Sequence, residues 1–287
     1  MADLIDLHIH STASDGSHTP SEVVTLAKEQ GLSALSLTDH DTLAGLTDAE
    51  EKAKELNIEF IRGCELSAKY LDTDVHVLGL YVPKDKALLQ DLEKELAVFI
   101  ERRNTRNKKI ITKLQEHHVD ITLEEVEKEA GGNVIARPHF ANVLVQKGVV
   151  ANTKEAFEKY LAKGKLAFVE REVISPHHAV SLLKEAKAVP VLAHSKLIKC
   201  TEQEYFNLIE ELIPLGLKGL EVYHSVHSFD DERYYLGVAQ KYHLCISGGS
   251  DFHGKSKPDI KIGTGRGSLR VPAGILDGIK NSACYQC

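Results

Sequence analysis

A disulfide framework, an excess of positive charge and long apolar runs are all missing from this chain, and each absence narrows what it can be. The five cysteines (Cys64, Cys200, Cys245, Cys284 and Cys287) show no paired spacing inside the fold, which excludes a small cystine-stapled module. Cys284 and Cys287 form a lone CxxC at the C-terminal end, without a second pair to complete a zinc site, and read as reduced thiols of a frayed tail. A formal net charge of -7 argues against the extended basic surface that duplex DNA requires. It leaves room for a small anionic ligand, because bound cations can make one site positive on an acidic protein. No apolar run approaches membrane-spanning length, and no basic segment followed by an apolar stretch stands at the N-terminus, so the expectation is a cytoplasmic protein with no membrane partner. Internal repeats and low-complexity tracts are missing too.

What is present is ordinary globular material: 287 residues, 43% hydrophobic and 27% charged, enough for one large α/β domain or a domain carrying an insertion. Leu4 to His10 alternates apolar and polar residues as a strand does. A helix follows from Pro20 to Gln30, with Thr19 as N-cap and Gly31 ending it. The apolar run Ala34–Leu37 leads into Thr38-Asp39-His40-Asp41, a helix covers Thr47 to Leu56, a strand runs from Glu59 to end at Glu65, and another, Val75 to Val82, carries His76. This alternation predicts parallel βα units. The rhythm breaks from Lys84 to Lys165, where a long charged helix from Leu88 to His117 and several short helices appear without a convincing strand. Thr122 with Glu125 spells a capping box there, and Thr153 is a candidate cap. Residues 84–165 therefore read as an inserted helical subdomain, between barrel segments 1–83 and 166–287. The rhythm returns with a helix from Ser175 to Lys187 and strands Val189–His194, Gly219–Tyr223 and Leu244–Ser247.

Polar residues close or occupy six of these strands. His8 and His10 lie two apart on a strand, so both imidazoles point to one side. Alone, the pair is no more than two histidines on a strand, and Asp15 in its Ser-Asp-Gly turn has an ordinary turn reading. The accumulation decides the matter. Asp39, His40, Glu65, His76, His194, Asp251 and His253 follow on later strands. Crowding so many of these groups together without counter-ions would incur desolvation and carboxylate repulsion. Divalent cations remove both costs, and nitrogen with carboxylate ligands suits manganese, zinc or iron.

In order, H-x-H, T-D-H-D, Glu65, His76, Ala193-His194 and Ser250-Asp251-Phe252-His253 resemble the PHP (polymerase and histidinol phosphatase) family over roughly two thirds of the chain. Within it, Ala136-Arg137-Pro138-His139 and Gly164-Lys165…Arg171 are similar to the branch of 3′,5′-nucleoside bisphosphate phosphatases and 5′-to-3′ exoribonucleases. The resemblance implies a distorted seven-stranded βα barrel holding two or three divalent ions, manganese foremost. It implies that His8, His10, Glu65 and Asp251 hold one ion, that Glu65 bridges to a second held by His76 and His194, and that Asp15, His40 and His253 hold a third. Asp39 would orient a neighbouring histidine. The A-H pair is often followed by Pro in this branch, whereas Ser195-Lys196 follows here.

No cysteine or serine sits in a nucleophile motif, so the expectation is direct hydrolysis of a phosphate ester by metal-bound hydroxide. Arg137, His139, Lys165 and Arg171 are the candidates for holding a second phosphate, with solvated surface charge as the alternative for Lys165 and Arg171. His224 or His227, after another strand, is a candidate proton donor, a structural histidine being equally compatible with the spacing. The expected substrate is a nucleoside 3′,5′-bisphosphate or a short single-stranded RNA. Histidinol phosphate and a catalytically silent nucleotide-binding module are the competing expectations.

Overall fold

The computed structural model describes residues 3–131 and 134–284, so the Cys284–Cys287 pair lies partly outside the described residues. The chain order is β1 (Ile5–Ile9), α1 (Pro20–Glu29), β2 (Ala34–Leu37), α2 (Leu46–Leu56), β3 (Glu59–Tyr70) and β4 (Thr73–Leu80), followed by a helical stretch. That stretch holds α3 (Lys86–Glu116), α4 (Leu123–Ala130), α5 (Arg137–Gln146) and α6 (Thr153–Ala156). The alternation then resumes with α7 (Pro176–Glu185), β5 (Val189–Leu192), α8 (Glu202–Leu215), β6 (Gly219–His224), α9 (Phe229–Lys241), β7 (Cys245–Gly249) and α10 (Leu276–Cys284).

The strands form one seven-stranded sheet in sequential order. Two backbone bonds beyond the end of β7 curl its edges together into a nearly closed barrel: Asp251 N–H to His8 O at 2.8 Å and His10 N–H to Phe252 O at 3.0 Å. Gly249 permits this approach, since a Cβ there would lie 2.4 Å from the backbone nitrogen of His8. On β1, Ile5, Leu7 and Ile9 pack into the apolar clusters, while Asp6, His8 and His10 point to the opposite face.

The expectation of parallel βα units holds for β1/β2, β2/β3, β5/β6 and β6/β7. It fails in the middle, where β4 runs antiparallel to both β3 and β5. The cause is local. β3 does not stop at Glu65 but continues to Tyr70, and a two-residue connection, with Leu71 at φ 52, folds the chain straight back as a hairpin. Glu65 is thus a mid-strand residue whose side chain points inward, rather than a strand end.

Among the described residues of 84–165 there is no strand. Helix α3 spans two environments: Leu89, Leu92, Leu96 and Phe99 pack with the barrel's helices, whereas Ile110, Ile111 and Leu114 join a separate core around Phe140 and Leu144. Each such buried side chain contributes about 1.5–3 kcal/mol. Thr122 and Glu125 form the expected capping box of α4, but α6 is capped by Asn152, with Thr153 already in its first turn. No helix among the described residues is long and apolar enough to cross a membrane.

Candidate metal centre

Every histidine and carboxylate singled out as a ligand from the sequence arrives at one end of the barrel. Glu65 is the hub. Its Oε2 lies 3.3 Å from His8 Nε2, 3.2 Å from His10 Nε2 and 2.9 Å from His40 Nδ1. Its Oε1 lies 2.8 Å from His76 Nδ1 and 3.0 Å from His194 Nε2. Asp251 Oδ1 approaches His10 Nε2 at 3.4 Å and His8 Nε2 at 3.8 Å. On the far side Asp15 Oδ1 sits 3.3 Å from His253 Nε2, and the His10 ring lies between those of His40 and His253, with centroids 4.5 and 4.1 Å away.

Two of these side chains, and the neighbour of a third, sit on unusual backbone. Asp41, beside His40, has φ 56, Asp251 has φ 58 and His194 has φ 26. Such conformations cost about 1–3 kcal/mol each and persist where the surroundings enforce them. Burial outweighs the Glu65 hydrogen bond and pushes His194 down to about 4; burial and the neighbouring His10 do the same for His253. That shift favours the neutral imidazole, the form that ligates metal. Burial alone would raise the Asp15 carboxyl, but His253 and His40 hold it well below the usual carboxylate range.

The donor set fits divalent ions. His8 Nε2, both nitrogens of His10, His40 Nδ1 and Glu65 Oε2 are buried without a hydrogen-bond partner, an arrangement a folded protein does not normally tolerate. The groups His8–His10–Glu65, His40–Glu65–His76 and His10–Asp15–His40–His253 each bring their donor atoms within 4.8 Å of one another.

The remaining candidates divide. Asp39 is buried, but its carboxylate accepts from Ser11 N–H at 2.8 Å and from the hydroxyls of Ser11 and Ser14 at 2.7 and 2.5 Å, so it braces the Ser11–Ser14 loop rather than a histidine. His224 Nδ1 accepts the Val226 N–H at 3.2 Å, which leaves its proton on Nε2, 3.7 Å from Asp251 Oδ2. His227 is set behind it, its Nδ1 donating to Val222 O at 2.7 Å. Beside the cluster lies a cavity of about 330 Å³ lined by Asp15, His40 and His76 and by Arg103, Arg106, Arg137 and Arg171. Arg137 reaches Leu161 O at 3.5 Å and stands 5.9 Å over the Phe168 ring. Lys165 is exposed and lines no part of this cavity, whereas Lys163 does. His139 is buried, and its Nδ1 accepts the Ala136 N–H at 3.1 Å as a cap of α5. Lys196, which follows the A-H pair and Ser195, pairs with Asp231.

Sequence reasoning missed several residues. Arg103 and Arg106 were hidden in the long charged helix; both are buried, and Arg103 Nη2 lies 2.5 Å from Asp41 Oδ2, with Arg171 Nη2 at 3.0 Å from the same oxygen. Burial would raise Asp41, but Arg171 and Arg103 hold it down at about 2. Lys257 pairs with Asp251 Oδ2 at 2.7 Å. Glu221, a carboxylate within the apolar strand Gly219-Leu220-Glu221-Val222, contacts His8; its position in such a run was the available signal.

With this geometry in hand, the family model for the PHP domain matches residues 6–238. The chain belongs to the PHP domain family. It is 36% identical to a 5′-3′ exoribonuclease of Haemophilus influenzae over 252 residues, covering 86% of this chain and 89% of that protein. It is 32% identical to a 3′,5′-nucleoside bisphosphate phosphatase of Chromobacterium violaceum, over 90% of each chain. A solved structure from Bifidobacterium adolescentis, described as a metal-dependent phosphoesterase, superposes with a TM-score of 0.85 at 28% identity, covering 98% of this chain and 97% of that one. This PHP protein is accordingly a metal-dependent phosphoric ester hydrolase built on a seven-stranded α/β barrel.

Proposed function

We propose that this chain removes the 3′-phosphate from nucleoside 3′,5′-bisphosphates in the cytoplasm, and trims short 5′-phosphorylated RNA from its 5′ end. One observation carries the reading: the ligand cluster opens onto a cavity lined by four arginines, two of which, Arg103 and Arg171, share the single carboxylate of Asp41, while Arg137 contacts a backbone carbonyl rather than a carboxylate. The two nucleotide-directed relatives support it. Two or three divalent ions are held, manganese first among them, with zinc and iron accepted by the same ligands. His8, His10, Glu65 and Asp251 would hold one, Glu65 with His76 and His194 a second, and Asp15, His40 and His253 a third. Bound there, they would lower the pKa of water and neutralise charge on the phosphoryl oxygens.

The chain's own groups do the rest. Arg103 and Arg171, anchored on Asp41, and Arg137 from α5 clamp the non-reacting phosphate through forked donors. Residues 84–165 thus act as a subdomain that covers the site and supplies Arg103, Arg106 and Arg137. The His224 Nε2–H, buried beside Asp251, donates a hydrogen bond that stabilises charge on the leaving oxygen. Lys165 and His139 have no part in the clamp.

The test is phosphate release with manganese across a nucleoside 3′,5′-bisphosphate, a short 5′-phosphorylated RNA and histidinol phosphate. The bisphosphate and RNA are expected to give the higher kcat/KM. Arg137→Ala should raise KM for the bisphosphate about 10–150-fold, from the ~1.5–3 kcal/mol of a charged hydrogen bond. Faster turnover of histidinol phosphate overturns the nucleotide assignment, and tight nucleotide binding without phosphate release identifies a silent binding module.

A further inference from the structure

One buried carboxylate stands behind the cluster and touches two of its members. Glu221 is fully buried on β6. Its Oε1 lies 2.9 Å from His8 Nδ1, and its Oε2 accepts the backbone N–H of His194 at 2.7 Å. A carboxylate at Nδ1 keeps the imidazole proton there and leaves the Nε2 lone pair for a ligand. His8 Nε2 has no hydrogen-bond partner and faces Glu65 Oε2 at 3.3 Å.

The second contact acts on backbone rather than on a ring. His194 sits at φ 26 and ψ 55, a conformation that an L-residue keeps only where its surroundings hold it. The bond from its N–H to Glu221 pins the turn that brings His194 Nε2 to 3.0 Å from Glu65 Oε1. Glu65 therefore joins the two ligand groups directly, through one oxygen each, and Glu221 joins them from behind through His8 and His194.

We propose that Glu221 is a positioning residue that couples two metal sites, orienting His8 for one and His194 for the other, so that both ions weaken together when it is altered. This rests on the reading that the cluster holds divalent ions. Glutamine at this position keeps the shape but presents one oxygen and one amino group to two donors, so it cannot accept from both. Loss of such an orienting carboxylate typically lowers metal affinity about 10–100-fold.

Manganese bound per chain is measured by equilibrium dialysis for the wild type, Glu221→Gln and His76→Ala, alongside melting of each metal-free protein. His76→Ala should weaken chiefly one ion. Glu221→Gln should weaken two, roughly 10–100-fold, while still melting cooperatively without metal. A merely structural role would lower the melting temperature without the joint loss. Wild-type affinity in the Gln variant, or loss of one ion only, overturns the coupling. A wild type that binds no manganese overturns the metal reading itself and the coupling with it. Should the Gln variant not fold, the histidine ¹⁵N spectrum of zinc-loaded wild type decides: His8 with a proton on Nδ1 and zinc on Nε2 supports the proposal, and the reverse refutes it.

Discussion

Replacing Asp41 by alanine removes a carboxylate shared by two arginines of the cavity. Asp41 is 1% exposed; its Oδ2 lies 2.5 Å from Arg103 Nη2 and 3.0 Å from Arg171 Nη2, and its Oδ1 accepts the Ser67 N–H at 2.9 Å. Without it, Arg103, itself 4% exposed, is left beside Arg171 with no counter-charge between them. Removing one partner of a buried pair costs about 3–5 kcal/mol. At about 2 °C per kcal/mol for a long chain, the metal-free protein should melt about 6–10 °C lower. Asp41→Asn separates charge from backbone, because asparagine tolerates the φ of 56 at this position while losing the negative charge. Both variants should recover part of the loss in inorganic phosphate, since an anion at a hundred times its Kd adds about 2.7 kcal/mol to the state that binds it. Differential scanning fluorimetry with and without phosphate reads all of this. Melting within about 1–2 °C of wild type, a shift worth less than ~1 kcal/mol, would show that Asp41 is not the counter-charge of Arg103 and would remove the argument for an anion clamp anchored on it.

Three further outcomes are expected. Gly249→Ala puts a methyl 2.4 Å from His8 backbone nitrogen, where nothing flexible can give way, so urea denaturation should show a loss of about 1–3 kcal/mol together with reduced manganese content; unchanged values would place β7 further from β1. Phe140→Ala opens a cavity in the separate helical core and should cost about 3–5 kcal/mol, raising KM more than it lowers kcat because α5 carries Arg137; limited proteolysis and steady-state kinetics test this. Asp231 caps α9 with Ser228 and pairs with Lys196; partial burial pushes its carboxyl up, but those partners hold it at about 2. The depressed folded-state value means that its contribution is complete above the unfolded pKa and disappears as pH falls through the folded one. Asp231→Asn should therefore be about 1 kcal/mol less stable at pH 7, with the gap to wild type closing between about pH 4 and pH 2 in urea titrations.

The candidate ligands were legible in the sequence because strand periodicity is local. His8 and His10 face one way whatever the rest of the chain does, and polar residues at the ends of apolar strands have few other uses. Thr19, and Thr122 with Glu125, likewise announced helix starts through contacts spanning three residues. Reading Glu65 as a strand end failed for a reason of the same kind in reverse. Its strand runs on to Tyr70 because β4 is available to pair with it, and pairing is a property of two segments.

What the sequence by itself determined is the chemistry on offer: imidazoles and carboxylates in an order and spacing that suit divalent ions on a βα barrel. Only the tertiary structure decided which charges serve the cavity. Arg103 and Lys163 line it while Lys165 faces solvent, because the direction of a helical or loop residue depends on what the helix packs against. Asp39 binds serines, and Glu221 reaches His8 across 213 residues of chain. Hydrogen bonds between distant segments leave no periodic trace, since their partners are chosen by closure of the barrel and not by neighbours in sequence.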